Sequence, residues 1–375
     1  MLRIFITGDN HIGLKYLSHE KASFLAAARL EALKGMAERA NMENCGLFVI
    51  TGDLFENNYG VPQRDIRAAI DALSAFKGTV ALLPGNHDYY DRDSKLWQHL
   101  EKECGEKDNI LLLTQSRPYN ITVGDEDVTL YPAPCLSLHS EIGQNNLGWI
   151  KNENIPQTGC YRIGVAHGAL YGQTIDSEGQ YFLMTRQELE NIPLDVWLLG
   201  HTHVPFPQDL REEFSECENI LNPGTHVQTD VNCRTEGLCF IVEIGPDKKV
   251  RAKKVKTGTV RFFRLELKLS PGMAEKAVKE ALAPLPDRSS VELMLSGPVT
   301  PEEYERLDAA AQGLLSRFIE GKCVRTDVSR LVSQELIDSF YPETSFASAF
   351  LKSLLDDPAE AQMAFDLLQT LKEDR

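Results

Sequence analysis

Five short stretches of the chain carry side chains that can bind metal ions: Asp9-Asn10-His11, Gly52-Asp53, Gly85-Asn86-His87-Asp88, His167 within Val165-Ala166-His167-Gly168, and Gly200-His201-Thr202-His203. Imidazole and carboxylate together suit Zn, Mn, Fe and similar divalent ions. A carboxylate such as Asp53 has two oxygens and can bridge two cations. Asn86 adds a neutral oxygen without adding charge. Asp9, His11, Asp53, Asn86, His167, His201 and His203 are therefore the expected metal ligands. Two ions about 3.5–4 Å apart can clamp the attacking and leaving oxygens of a phosphoryl displacement, so the chemistry implied is phosphoester hydrolysis. No single motif carries this reading, because a lone Gly-Asp or His-x-His is commonplace. The joint pattern carries it: five of the nine histidines fall in these motifs, each after an apolar run. His19, His99, His139 and His226 read as structural, with His226, close to Asn222-Pro223-Gly224-Thr225, a candidate for the cleft wall.

Residues so far apart in sequence converge only if a regular scaffold presents them. Leu2–Thr7, Leu47–Thr51 and Thr79–Leu83 read as buried strands, and Glu20–Asn41, Pro62–Phe76 and Ser94–Cys104 as helices. This alternation predicts a parallel sheet with helices on its faces. Ligands bind outside the C-terminal ends of strands in such sheets, and the five motifs lie there. Asp9 and His11, two apart, should point to the same side of a strand end, as should His201 and His203. Glycines before Asp53, Asn86 and His201 suit sharp turns. Further strands are expected at 110–113, 119–123, 128–131, 161–166 and 196–199, with an antiparallel pattern between Leu238 and Leu269. The whole predicts two stacked sheets with helices outside. Beyond the breaker Ser270-Pro271-Gly272, a strand, helix, strand, helix, strand alternation from Arg264 to Thr326 describes a small α/β domain. Ser345–Leu371 reads as helical, with apolar Phe346, Phe350, Leu354 and Leu355.

The 375 residues suit two or three domains. No apolar run approaches the ~18 residues of a membrane span, and the first strand is too short for a signal peptide. The expected location is cytoplasmic, with no membrane partner, and the eight scattered cysteines read as reduced. A net charge of −16 opposes a passive nucleic-acid binder, although two divalent cations would offset four charges locally. One basic stretch, Lys248, Lys249, Arg251, Lys253, Lys254, Lys256, Arg261 and Arg264, contains no acid. It reads as a lysine-guarded edge strand, with DNA contact as the alternative.

The ordered motifs resemble the calcineurin-like metallophosphoesterase superfamily over about residues 1–260. Within it, Asp9-Asn10-His11-Ile12-Gly13 and Gly52-Asp53-Leu54-Phe55 resemble the DNA repair exonucleases of the SbcD, YhaO and meiotic-recombination group. Protein Ser/Thr phosphatases carry Gly-Asp-x-x-Asp-Arg and Gly-Asn-His-Glu instead. The resemblance implies an αββα sandwich in a metallophosphoesterase domain (1–262), an α/β capping domain (263–330) and a helical C-terminal segment (331–375). It implies two divalent ions, Mn first, with Fe, Zn or Mg as other occupants. One would take Asp9, His11, Asp53 and His203, the other Asp53, Asn86, His167 and His201. His87 would be catalytic, acting on the scissile phosphate without binding metal. The implied activity is 3′–5′ exonuclease on DNA ends, with endonuclease action on single strands. The alternatives are a small-molecule or cyclic-nucleotide phosphodiesterase or phosphatase, and a nuclease-like subunit whose main role is docking an ATPase partner. The implied partners are DNA, an SbcC-like coiled-coil ATPase and a second copy of the chain. One departure stands out: some of these nucleases have a histidine three residues after the bridging aspartate, where this chain has Glu56.

Overall fold

The apolar runs of the first 260 residues become strands buried on both faces, and that property dictates the architecture. The structure is a computed structural model and describes residues 1–157, 159–173 and 179–373. Two units separate at Phe262/Phe263. The first contains strands β1 (Leu2–Thr7), β2 (Leu47–Ile50), β3 (Thr79–Leu82), β4 (Ile110–Leu112), β5 (Tyr119–Val123), β6 (Glu126–Ala133), β7 (Tyr161–His167), β8 (Val196–Gly200), β9 (Ser215–Glu216), β10 (Ile220–Leu221), β11 (Leu238–Ile244) and β12 (Val250–Lys256). Its helices are α1 (Ala22–Met42), α2 (Gln63–Ser74), α3 (Lys95–Gly105), α4 (Gly148–Lys151) and α5 (Arg186–Glu190).

Seven strands form one sheet in the order β4-β3-β2-β1-β11-β12-β9, and five form another in the order β10-β8-β7-β6-β5. Strands β1 to β4 are parallel, as are β6, β7, β8 and β10. β11 runs antiparallel to both β1 and β12. Because side chains alternate along a strand, each sheet has two apolar faces to cover. Ile4 and Ile6 of β1 and Val49 of β2 share an inter-sheet core with Leu130, Ile163, Val165 and Leu198. On the opposite face, Phe5, Phe48 and Ile50 pack with Leu33 of α1, Ile70 of α2 and Trp97 of α3. Tyr131, Trp197 and Leu199 of the second sheet pack with Ile150 of α4 and Leu189 of α5. The result is the expected order of helix, sheet, sheet, helix. Helix α2 illustrates the fit: Ile66, Ala69, Ile70 and Leu73 are buried at helical spacing.

Strand β13 (Arg261–Lys268) begins two residues before the second unit, which goes on to β14 (Ser289–Val299) and β15 (Glu320–Arg330), with helices α6 (Ala274–Leu282) and α7 (Pro301–Leu315). These strands form a three-stranded sheet. Thr300 and Glu303 cap α7 reciprocally, as a capping box does. Its core joins Val278 of α6, Leu293 and Leu295 of β14, and Leu307 and Leu315 of α7. Three helices follow: α8 (Gln334–Phe340), α9 (Phe346–Ser353) and α10 (Pro358–Glu373). The single helical segment expected at Ser345–Leu371 is thus two helices. Pro358 can begin a helix but not continue one. Of its apolar residues, Leu354 and Leu355 pack on a local core, whereas Phe346 is 82% exposed.

The basic stretch covers β12 and the start of β13 and is electrically compensated. Lys248, Lys249, Arg251, Lys253, Lys256, Arg261 and Arg264 each lie 2.7–3.8 Å from a carboxylate. Acids distant in sequence, such as Glu43 and Asp195, return the balance. Among the described residues no helix is long and apolar enough to cross a membrane.

Phe48 is fully buried, with ring centroids 4.9 Å from Phe5 and 5.7 Å from Phe76. Replacing it with alanine is expected to destabilise the fold by about 3–5 kcal/mol. Urea denaturation of wild type and Phe48→Ala, followed by circular dichroism, measures this. A change below about 1 kcal/mol would contradict the packing described.

Candidate metal centre

Each motif stands at, or just beyond, the C-terminal end of a strand: Asp9 and His11 after β1, Asp53 after β2, Asn86 and His87 after β3, His167 ending β7, and His201 and His203 after β8. Three motifs come from one sheet and two from the other. The common direction of Asp9 and His11 does not come from strand alternation, since β1 ends at Thr7. Both residues are left-handed, with φ of 50° and 45°. Their loop is fastened to the one after β2: the amides of Asp9, His11 and Ile12 donate to the carbonyls of Gly52, Asp53 and Leu54 at 3.1, 2.9 and 2.8 Å. Asp53 (φ 52°) and His201 (φ 98°) also have positive φ. Such conformations are uncommon outside glycine and cluster at functional sites.

Close approach explains two of the glycines. A Cβ on Gly85 would lie 2.1 Å from Asp53 Oδ1, and one on Gly52 would lie 2.2 Å from His167 Nδ1. Gly52 also has φ 107°. Without these glycines the loops after β2, β3 and β7 could not touch.

The side chains form two facing groups with Asp53 between them. In the first, His11 Nε2 is 3.1 Å from His203 Nε2, and His203 Nε2 is 4.0 Å from Asp9 Oδ1. In the second, Asn86 Oδ1 lies 3.0 Å from both His167 Nε2 and His201 Nδ1. Asp53 Oδ2 is 3.3 Å from His167 Nε2 and 3.9 Å from His11 Nε2. Candidate ligand atoms of Asp9, His11 and His203, and of Asp9, Asp53 and His167, fall within 4.8 Å of one another. Nitrogen and oxygen donors are turned toward common points, which fits cations rather than a network closed on itself. The tautomers support this fit. His167 Nδ1 donates to the carbonyl of Thr51 at 2.8 Å, leaving Nε2 to face Asp53 and Asn86. His87 differs: its Nδ1 donates to the carbonyl of Glu56 at 3.0 Å, and its backbone amide donates to Asp53 Oδ1 at 2.8 Å. His87 also reaches a candidate cluster with His11 and Asp53, so proximity alone does not separate it from the ligands.

The electrostatics are those of a crowded, largely buried crevice. Burial, aided by Asp53, pushes the Asp9 carboxyl up to about 6. Burial opposes ionisation of Asp53 as well, but the neighbouring His167 and His11 outweigh it and hold the group well below the usual carboxylate range. His167 is lifted to about 9 because the Asp53 charge overcomes burial, which favours the neutral ring. Asp88 is pushed up to about 6 by burial and by Asp53, and accepts from the amides of Gly85 and Phe55 at 2.7 and 3.0 Å. It braces the loop bearing Asn86 and His87.

Two residues with clear roles carry no assignment from sequence alone. Glu56 Oε2 accepts from His11 Nδ1 at 3.0 Å. This carboxylate–histidine contact fixes the ring so that Nε2 faces the site. Glu56 is therefore a positioning residue. Arg29, fully buried, donates to the carbonyl of Asn10 at 2.7 and 3.0 Å and braces the Asp9–His11 loop from below. An arginine at a helical spacing offers no local signal for this. His226 does not line the cleft: it is buried and donates from Nε2 to the carbonyl of Arg29 at 3.0 Å.

Glu56→Gln should weaken metal binding about 10-fold or more, read by isothermal titration with Mn²⁺; unchanged affinity would remove the positioning role. Metal uptake should also release protons. His167 is protonated below about 9 and Asp9 below about 6 in the metal-free chain, and a protonated donor cannot coordinate. Affinity should therefore fall as pH drops from 9, by about tenfold per unit for each proton displaced, and more steeply below pH 6. Titrations in buffers of different ionisation enthalpy count the protons, and a pH-independent affinity would contradict the assignment.

No curated protein matches the chain. Solved structures similar to it include TT1561 of Thermus thermophilus, at 12% identity over 68% of this chain and 99% of that chain, with a TM-score of 0.42. Purple acid phosphatase PPD1 from yellow lupin (Lupinus luteus) seeds gives 13% identity over 68% and 51%, TM-score 0.40. A dimetal phosphatase from Danio rerio gives 10% identity over 68% and 99%, TM-score 0.38. The calcineurin-like phosphoesterase family matches residues 2–205, more than half of the 375-residue chain and the span that contains all five motifs. The chain belongs to the calcineurin-like phosphoesterases and is a metal-dependent hydrolase.

Proposed function

We propose that the chain hydrolyses phosphodiester bonds of DNA, as a Mn-dependent 3′–5′ exonuclease on duplex ends with endonuclease action on single strands. The carrying observation is the pair of donor groups joined by Asp53. Asp9, His11, Asp53 and His203 would hold one cation, and Asp53, Asn86, His167 and His201 the other. When bound, the cations supply Lewis-acid charge at the phosphate and acidify a water toward neutral pH. The chain's own residues do the rest. Glu56 and the Thr51 carbonyl orient His11 and His167. With Nδ1 of His87 committed to the Glu56 carbonyl, its Nε2 is left to hold or move a proton at the leaving oxygen. The nuclease form of the first two motifs supports DNA as substrate. So does Tyr59, 77% exposed, whose hydroxyl lies 3.0 Å from that of Tyr89, two residues after His87. An exposed aromatic ring near a phosphate site suits stacking on unpaired bases.

The test is purified protein with Mn²⁺ on end-labelled duplexes. Wild type should shorten 3′ ends, and Asp53→Asn should lose that activity. His87→Asn should keep its metal content, by elemental analysis, while turnover falls about 10²-fold or more. Loss of metal together with turnover would make His87 a ligand. If wild type degrades DNA no faster than Asp53→Asn yet cleaves bis-p-nitrophenyl phosphate, the substrate is a small diester instead.

A further inference from the structure

His203 belongs to two places at once. It faces His11 and Asp9 within the donor set, and it also lines an adjoining cleft of about 900 Å³ together with Gln208, Thr229, Cys233, Arg234 and Glu236. It is the more open of the facing pair, with 38% of its side chain exposed against 6% for His11. A phosphoester bound at the donor set would therefore open directly into this cleft. The loop carrying Arg234 is attached to His203, since Thr235 Oγ1 donates to the His203 carbonyl at 3.4 Å. A Cβ on Gly224 would lie 2.8 Å from that same carbonyl, so the Pro223-Gly224 turn presses on it too.

The charges of the cleft wall are engaged, with one exception. Glu236 pairs with Arg261 at 2.8 Å and with Lys256 at 3.2 Å. Asp230 accepts from the backbone amide of Asn232 at 2.6 Å. Arg234 is exposed, and among the described residues its guanidinium makes no ion pair or hydrogen bond. On a chain of net charge −16, an unspent guanidinium beside a phosphate-processing site is a local exception to a repulsive field. Its planar fork matches phosphate oxygens in a way a point charge does not.

We propose that this cleft is a substrate subsite, in which Arg234 binds a second phosphate of the chain whose neighbouring phosphodiester lies at the metals. The assignment rests on the phosphodiester reading and extends it. It makes the preferred substrate a strand with at least two phosphates rather than a simple diester.

The experiment is fluorescence anisotropy of the Mn²⁺-loaded full chain with a labelled, phosphorothioate-protected trinucleotide. Arg234→Ala should weaken binding about tenfold and flatten the salt dependence by about one unit of slope. Arg234→Lys should recover part of the loss. Arg64→Ala removes the same charge from an 86% exposed side chain on α2 and should change affinity less than about twofold. The proposal is overturned if wild type does not bind the trinucleotide, if Arg234→Ala binds as wild type does, or if Arg64→Ala is equally damaging. Hydrolysis of bis-p-nitrophenyl phosphate by wild type, measured in parallel, reports separately on the phosphodiester reading. Failure there leaves the anisotropy comparison to decide on Arg234.

Discussion

Three carboxylates, Asp9, Asp53 and Asp88, are buried in one crevice at the rim of the two sheets. Burial and mutual repulsion both oppose their ionisation, and much of the local structure answers that opposition. Backbone amides are directed at each of them: His201 N at Asp9, His87 N at Asp53, and Gly85 N and Phe55 N at Asp88. The rings of His11 and His167 stand among the acids, whose charge outweighs burial and holds both above the ordinary imidazole range. Arg29 adds a cation beneath the loop without neutralising any carboxylate directly, because its partners are carbonyls and the hydroxyl of Tyr16. The arrangement is only partly compensated by protein atoms. Cations bound by these donors would complete it, which explains why a metal-dependent hydrolase keeps so unfavourable a cluster.

The two sheets share the task of holding that cluster. The inter-sheet core, from Ile4 and Val49 to Ile163 and Leu198, keeps the ends of β1 to β3 opposite the ends of β7 and β8. Asp53 bridges the halves because the loops after β2 and β3 approach within distances that only glycine allows at positions 52 and 85.

Much of this was legible in the sequence, for physical reasons. β1 spans Leu2–Thr7 as the apolar run does, and α6 spans Ala274–Leu282, because burial on one or both faces imposes a period that composition records. The motifs were legible because ligand chemistry needs few residue types. What stayed hidden depends on tertiary approach. Glu56 stood out only as a departure from the nuclease pattern, and its contact with His11 exists only once the loops after β1 and β2 run side by side. The basic stretch looked uncompensated because counter-ions such as Glu43 and Asp195 lie far away along the chain. The break before α10 was announced by Pro358, but the apolar spacing on either side masked it. Helix α8 was covered only by the resemblance, which implied a helical segment from 331, because its seven residues are too few to display a period.

The left-handed backbone at Asp9, His11, Asp53 and His201 has a consequence for how this centre can change. Aspartate, asparagine and histidine are the non-glycine residues that tolerate this conformation best. Coordination of the kind proposed and backbone sterics would thus select overlapping residue types at these four positions. Neutral drift is narrowed twice, since a β-branched or bulky replacement loses both the donor and the turn. Asparagine sits in the overlap, so a lineage could discharge a ligand while keeping the loop's shape. A catalytically silent descendant of this chain could in that way keep its surface, and any binding role that depends on it, intact.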